Sequence, residues 1–134
     1  MEIITNSAQE TKQLAEKLAK KAKRGDVYAL YGDLGSGKTT FTRYFVEALG
    51  IKNRIQSPTF VIARKYDFVN HLDLYRITNE QELREFGLQE YLEDSDSITL
   101  MEWPELAENF LPQNTIRIKF EYVNENSRKI TAYD

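Results

Sequence analysis

Within YGDLGSGKTT, residues 31–40, Gly32, Gly37, Lys38 and Thr39 stand at the spacing G-x-x-x-x-G-K-[ST]. The residue types at that spacing form a cradle for phosphate. Glycines permit backbone angles and close approach that a Cβ would block. The N–H groups of such a loop, with the N-terminus of the following helix, bind anionic oxygens. Lys38 can reach the β- and γ-phosphates of a nucleotide, and Thr39 can offer its hydroxyl to Mg²⁺. On this reading Asp33, Leu34, Gly35, Ser36, Gly37, Lys38, Thr39 and Thr40 form the nucleotide-binding segment.

A phosphate cradle of this type needs a second carboxylate on the magnesium side, normally at the end of a neighbouring apolar strand. Two residues fit. Glu102 closes SITLME, the more apolar run, and resembles a Walker B strand with Glu where Asp is commoner. Asp73 lies inside HLDLYR, where period-two alternation turns it away from Leu72 and Leu74. Glu102 is preferred, and both stay open. His71, the single histidine, and Trp103, the single tryptophan, adjoin these acids and have ordinary structural uses as well. Ser57-Pro58-Thr59 lies between the phosphate helix and the next strand, where nucleotide switches reside, and its hydroxyls could meet the γ-phosphate, Mg²⁺ or water.

The elements that must hold these residues follow from periodicity. Ser7 with Glu10 has the spacing of a capping box, and Leu14, Ala15, Leu18 and Ala22 continue it as a helical stripe that Gly25 stops. VYALY, residues 27–31, reads as a buried strand feeding the glycine loop. TFTRYFVEAL is the following helix, apolar at Phe41, Phe45, Ala48 and Leu49, with Gly50 just past its end. TFVIARKY and HLDLY read as strands separated by DFVN, paired as a hairpin or side by side. Asn79 with Glu82 opens a helix toward Tyr91 that is interrupted near Gly87. SITLME is a further strand, and TIRIKFEYV turns through NENS into RKITAY. The expected fold is α/β: one P-loop NTPase-like domain over residues 1–134. Its central sheet is mostly parallel, with helices on its faces and an antiparallel hairpin at the C-terminal edge.

Composition narrows the function. With 41% hydrophobic residues in 134, the chain has apolar material for one core. No run is long and apolar enough for a membrane span, and MEIITNSAQE lacks the pattern of a secretory signal. The absence of cysteine excludes disulfides and thiolate metal sites and suits the reducing cytoplasm. A net charge of −3 argues against a protein that grips nucleic acid unaided. The one dense basic run, KKAKR at Lys20–Arg24, falls where a helix should end and is accounted for by the helix dipole. There is no Asn-Lys-x-Asp guanine-reading motif and no arginine-rich insertion of the kind a kinase lid needs; Arg43, Arg54, Arg64, Arg76 and Arg84 are scattered. What is left is an ATPase whose nucleotide state controls a partner. The alternatives are a compact small-molecule kinase and a nucleotide-gated binding module.

Taken together, YGDLGSGKTTFTR, SPTF, HLDLYR, MEWPE and the LP at 111–112 resemble the TsaE (YjeE) family. Its members are small P-loop ATPases of bacterial tRNA threonylcarbamoyladenosine biosynthesis. The likeness runs through nearly the whole chain in the family's order. It implies ATP and Mg²⁺ as ligands, slow hydrolysis by the chain alone, and association with the synthase subunits TsaB and TsaD. Those subunits make the N6-threonylcarbamoyl group on A37 of tRNAs that read ANN codons, and hydrolysis would reset the complex between turnovers. The tRNA would be reached through that complex rather than directly. The same likeness puts the magnesium ligands on Thr39 and Glu102, the P-loop lysine on Lys38 and the acid of the HxDxYR motif on Asp73, so that Lys38, Asp73 and Glu102 form the catalytic set. It makes Thr11 and the turn Asn126–Arg128 candidates for adenine contact. Ser36 stands where many members have alanine.

Overall fold

The structure, a computed structural model, describes residues 2–33, 35–52 and 62–133. Among the described residues, all strands join one seven-stranded sheet: β1 (Glu2–Thr5), β2 (Val27–Tyr31), β3 (Ala63–Tyr66), β4 (Val69–Asp73), β5 (Ile98–Glu102), β6 (Ile116–Tyr122) and β7 (Arg128–Tyr133), in the order β1-β7-β6-β2-β5-β4-β3. The centre is parallel, with β2 between β5 and β6 and β4 beside β5. The pairs β3–β4, β6–β7 and β1–β7 are antiparallel and form the edges. This is the mixed α/β fold expected, with both edges rather than one turned antiparallel. The extra edge strand β1 has its partner at the far end of the chain, so no local pattern announces it.

Alternation along the central strands sends side chains to two cores. Tyr28, Leu30, Ile98, Leu100, Ile118 and Phe120 face helices α1 (Ala8–Lys21) and α2 (Lys38–Ala48), meeting Leu14, Ala15, Phe41, Phe45 and Val46. Aromatic edges interlock there, Tyr28 on Phe45 at 5.1 Å and Phe41 on Phe120 at 5.3 Å between centroids. On the opposite face Val27, Leu72 and Met101 meet Leu83, Leu88 and Leu92 from α3 (Glu80–Phe86) and α4 (Leu88–Leu92), with Ala107 of a 3-10 helix (Glu105–Phe110).

Local signals place most helix ends. Ser7 accepts the Glu10 N–H at 3.2 Å, and Asn79 accepts that of Glu82 at 3.0 Å. Gly87, with φ +87°, both caps α3 and starts α4, which is the interruption expected there. Gly50, with φ +85°, follows the C-cap Leu49. Helix α1 ends earlier than Gly25, at Lys21, because Ala22 turns extended and Asp26 then closes a turn on the Lys23 N–H at 3.0 Å. Lys20 and Lys21 lie in the last helical turn, and Arg24 lies over the Phe68 ring at 4.7 Å. In α2, Val46 is buried and Ala48 exposed, one step round the helix from the expected stripe. The β3–β4 connection is a tight hairpin turn with Asp67 at φ +54°, so Val69 and Asn70 belong to the strand rather than to the linker.

Candidate functional site

Strand β2 delivers the chain to the glycine loop at the carboxyl ends of β2, β4 and β5, the edge where open α/β sheets bind ligands. Gly32 is held close: a Cβ there would lie 2.6 Å from Ser36 Oγ and 2.7 Å from the Phe120 carbonyl oxygen. Gly37, at φ +104°, is the N-cap of α2 and brings no capping side chain. The first turn of α2 contains no acid either. Its leading N–H groups and dipole are therefore left for an anion from outside the helix. The buried Ser36 hydroxyl likewise has no hydrogen-bond partner among the described residues.

Lys38 is 4% exposed, so its ammonium is committed to this cavity. It donates to the Gly32 carbonyl and lies over the Trp103 ring, 3.6 Å from the centroid. Burial lowers its pKa, and the nearby acids Glu102, Glu105, Asp73 and Asp33 oppose that shift. Thr39 Oγ1 donates to Glu102 Oε1 at 3.3 Å. Glu102 is buried, and its other oxygen, Oε2, meets His71 Nε2 at 2.6 Å. Asp73 stands beside Glu102 in the β4–β5 register, and its Oδ1 accepts the Tyr75 N–H at 3.0 Å. Burial raises the Asp73 pKa; the Tyr75 N–H works against this and the Glu102 charge adds to it.

One cavity of about 210 Å³ thus gathers Lys38, Thr39, Asp73, Glu102, Trp103 and Arg128, with Asp33, Gly35, Ser36, Gly37 and Thr40 on its wall. A second, of about 410 Å³, shares Ser36, Gly37, Thr40 and Arg128 with it and extends to Thr11 and Asn126. Both adenine-contact candidates therefore line one cavity next to the loop. Leu34, Arg54 and Ser57-Pro58-Thr59 lie outside the described residues. His71 is the residue whose part in the site the sequence left unassigned. Its signal was the HxD alternation, which puts His71 and Asp73 on the same face of one strand.

The donor set suits a phosphate chain carrying a hard cation. Backbone N–H groups and an ammonium could face an anion, and a hydroxyl and a carboxylate could offer oxygen to a metal. Among the described residues no group of three or more His, Cys, Asp or Glu is arranged to hold a metal ion. A cation here would accordingly take most of its ligands from phosphate and water, as Mg²⁺ does.

The chain matches the family model described as Threonylcarbamoyl adenosine biosynthesis protein TsaE over residues 5–130. It belongs to the TsaE family. Among its relatives, the Bacillus subtilis tRNA threonylcarbamoyladenosine biosynthesis protein TsaE is 42% identical over 95% of this chain and 81% of the relative. The protein of the same name from Rickettsia felis is 37% identical over 94% and 75%. The crystal structure of Bacillus subtilis YdiB superposes with a TM-score of 0.82 at 37% identity, covering 98% of this chain and 83% of that one. As a TsaE-family chain it carries Lys38, Thr39, Asp73, Glu102 and Trp103 around one cavity. Among the described residues, no helix is long and apolar enough to cross a membrane.

Proposed function

We propose that this TsaE-family chain is a Mg²⁺-dependent ATPase of tRNA threonylcarbamoyladenosine biosynthesis. It would act as an accessory subunit of the TsaB–TsaD synthase and reset that complex between modifications of A37. The observation that carries the reading is the convergence of an uncapped helix N-terminus and Lys38 with the Thr39–Glu102 pair and Asp73 on one cavity. The family's place in tRNA modification supports the pathway. A net charge of −3 favours reaching tRNA through partner subunits.

Each group has a task in this mechanism. The loop N–H groups fix the phosphate chain, and the Lys38 ammonium balances the charge that builds up on transfer. Thr39 and Glu102 would hold Mg²⁺, which neutralises phosphate charge when bound. Asp73, on the strand next to Glu102, orients the attacking water and takes its proton. Thr11 and the Asn126–Arg128 turn, on the adjoining cavity, would meet the adenosine.

Phosphate release from Mg-ATP by the purified chain, alone and with TsaB, TsaD and tRNA, tests the whole reading. Slow release alone that rises with the partners, together with more than one modification per complex, is the expected result. Release indifferent to the partners would sink the reset role. Transfer of the phosphoryl group to a small metabolite would replace it with a kinase.

A further inference from the structure

His71 is fully buried at 0% exposure, and its Nε2 lies 2.6 Å from Glu102 Oε2. Its other nitrogen, Nδ1, is also buried and has no hydrogen-bond partner among the described residues. A carboxylate accepts hydrogen bonds, so in this contact Nε2 is the donor and points at Glu102.

This contact divides the carboxylate between two partners. Oε2 is occupied by the imidazole, so Oε1 is the oxygen that faces Thr39 Oγ1, at 3.3 Å. The imidazole is held from both sides. Its strand β4 is paired with β3 and β5, and the Tyr66 ring lies at 6.5 Å between centroids. A glutamate side chain has several rotatable bonds, and at 2% exposure Glu102 has little water to solvate a misplaced oxygen. Something rigid must orient it.

We propose that His71 is the positioning residue of the Glu102 carboxylate, holding Oε2 so that Oε1 stands beside the Thr39 hydroxyl where a nucleotide-bound Mg²⁺ is to be met. The inference rests on the Mg-nucleotide reading above and adds to it the residue on which the metal-side geometry depends. Outer partners of metal ligands commonly control affinity by roughly tenfold or more.

The test compares the affinity of a non-hydrolysable ATP analogue in EDTA and in Mg²⁺, so that the readout is binding rather than turnover. The Mg²⁺-dependent gain should fall about tenfold in His71→Leu, while affinity in EDTA stays within about twofold. His71→Gln, which can still present an amide donor near Oε2, should recover most of the gain. In the double variant His71→Leu/Glu102→Gln the loss should be no greater than in Glu102→Gln alone, because the histidine acts through that carboxylate. If His71→Leu does not fold, His71→Asn carries the same comparison, since its shorter amide stops short of Oε2.

The single histidine also allows imidazole ¹⁵N resonances to be followed in the intact chain. Addition of Mg²⁺ to the nucleotide complex should move the His71 Nε2 signal in the native chain and leave it in place in Glu102→Gln. A full Mg²⁺ gain in His71→Leu, additive losses in the double variant, or an unmoved Nε2 signal would each overturn the positioning role. A full gain in Glu102→Gln would instead overturn the metal assignment on which it rests.

Discussion

The ammonium of Lys38 lies 3.6 Å from the centroid of the Trp103 indole, which is packed in turn by Tyr75 at 4.9 Å. Trp103 reaches this position with φ +57°, a left-handed backbone angle that costs a non-glycine residue about 1 kcal/mol. The lysine proposed to meet phosphate and the only tryptophan in the chain therefore share one surface. A phosphate that draws the ammonium toward itself must change what the indole faces. Intrinsic fluorescence should consequently change in a saturable way when ATP is added, and the change should disappear in Lys38→Ala at the same concentrations. A flat signal across a range where calorimetry shows saturation would detach Trp103 from the site.

Lys38 is also the one lysine assigned to the phosphates, and a hydrogen bond to a charged group contributes about 1.5–3 kcal/mol. Lys38→Ala should weaken nucleotide binding by roughly 10- to 100-fold at unchanged fold, judged by circular dichroism. Lys38→Arg should not restore it. The side chain is 4% exposed, and a planar guanidinium does not fit where a compact ammonium lies between a carbonyl and an indole face. Unchanged affinity in Lys38→Ala would dismiss the phosphate cradle.

What the sequence could reveal was what neighbouring residues decide between themselves. The strand–loop–helix around Gly32 to Thr39 is such a unit, and so are the caps at Ser7 and Asn79 and the stop at Gly50. Strand order is not local. Asp73 and Glu102 competed for one role on paper, and only the β4–β5 register shows them side by side in the same cavity. The His71–Glu102 contact spans 31 positions and depends on that same neighbour relation. Strand β1 was invisible for the same reason, since Ile3 pairs with Ile130. The β3–β4 turn was misplaced because Asp67 takes a positive φ without being glycine.

The two loop glycines should respond differently to the same change. A Cβ at Gly32 would meet Ser36 Oγ at 2.6 Å and the Phe120 carbonyl at 2.7 Å, whereas one at Gly35 meets nothing within 4 Å among the described residues. The Phe120 carbonyl belongs to β6, which is paired on both sides and cannot yield freely. Gly32→Ala should cost about 1–3 kcal/mol in urea unfolding and weaken nucleotide binding with it. Gly35→Ala carries only its backbone penalty at φ +78°, about 1–2 kcal/mol, without the collision. Equal losses of nucleotide affinity in both would show that the close packing of Gly32 is not what shapes the loop.

In its proposed role as proton acceptor, Asp73 links the pH dependence of catalysis to that of stability. Burial raises its pKa, so the carboxylate that would accept a proton from water forms only at a higher pH than for an exposed aspartate. The acid limb of kcat/KM should therefore lie above the ordinary carboxylate range, and Asp73→Asn should abolish turnover across it. The stability sign is opposite. A raised pKa means the folded chain prefers the protonated form, so this group's contribution is full below the unfolded-state pKa and is lost as pH rises through the raised one. Asparagine can still accept the Tyr75 N–H that Asp73 Oδ1 takes at 3.0 Å. Asp73→Asn should accordingly melt at a higher temperature than the native chain at neutral pH, and the difference should shrink toward pH 4 and below. A variant that lost activity and also melted lower at neutral pH would mean that the Asp73 charge is stabilised by partners rather than strained by burial, and its part as proton acceptor would fall with the raised pKa that supports it.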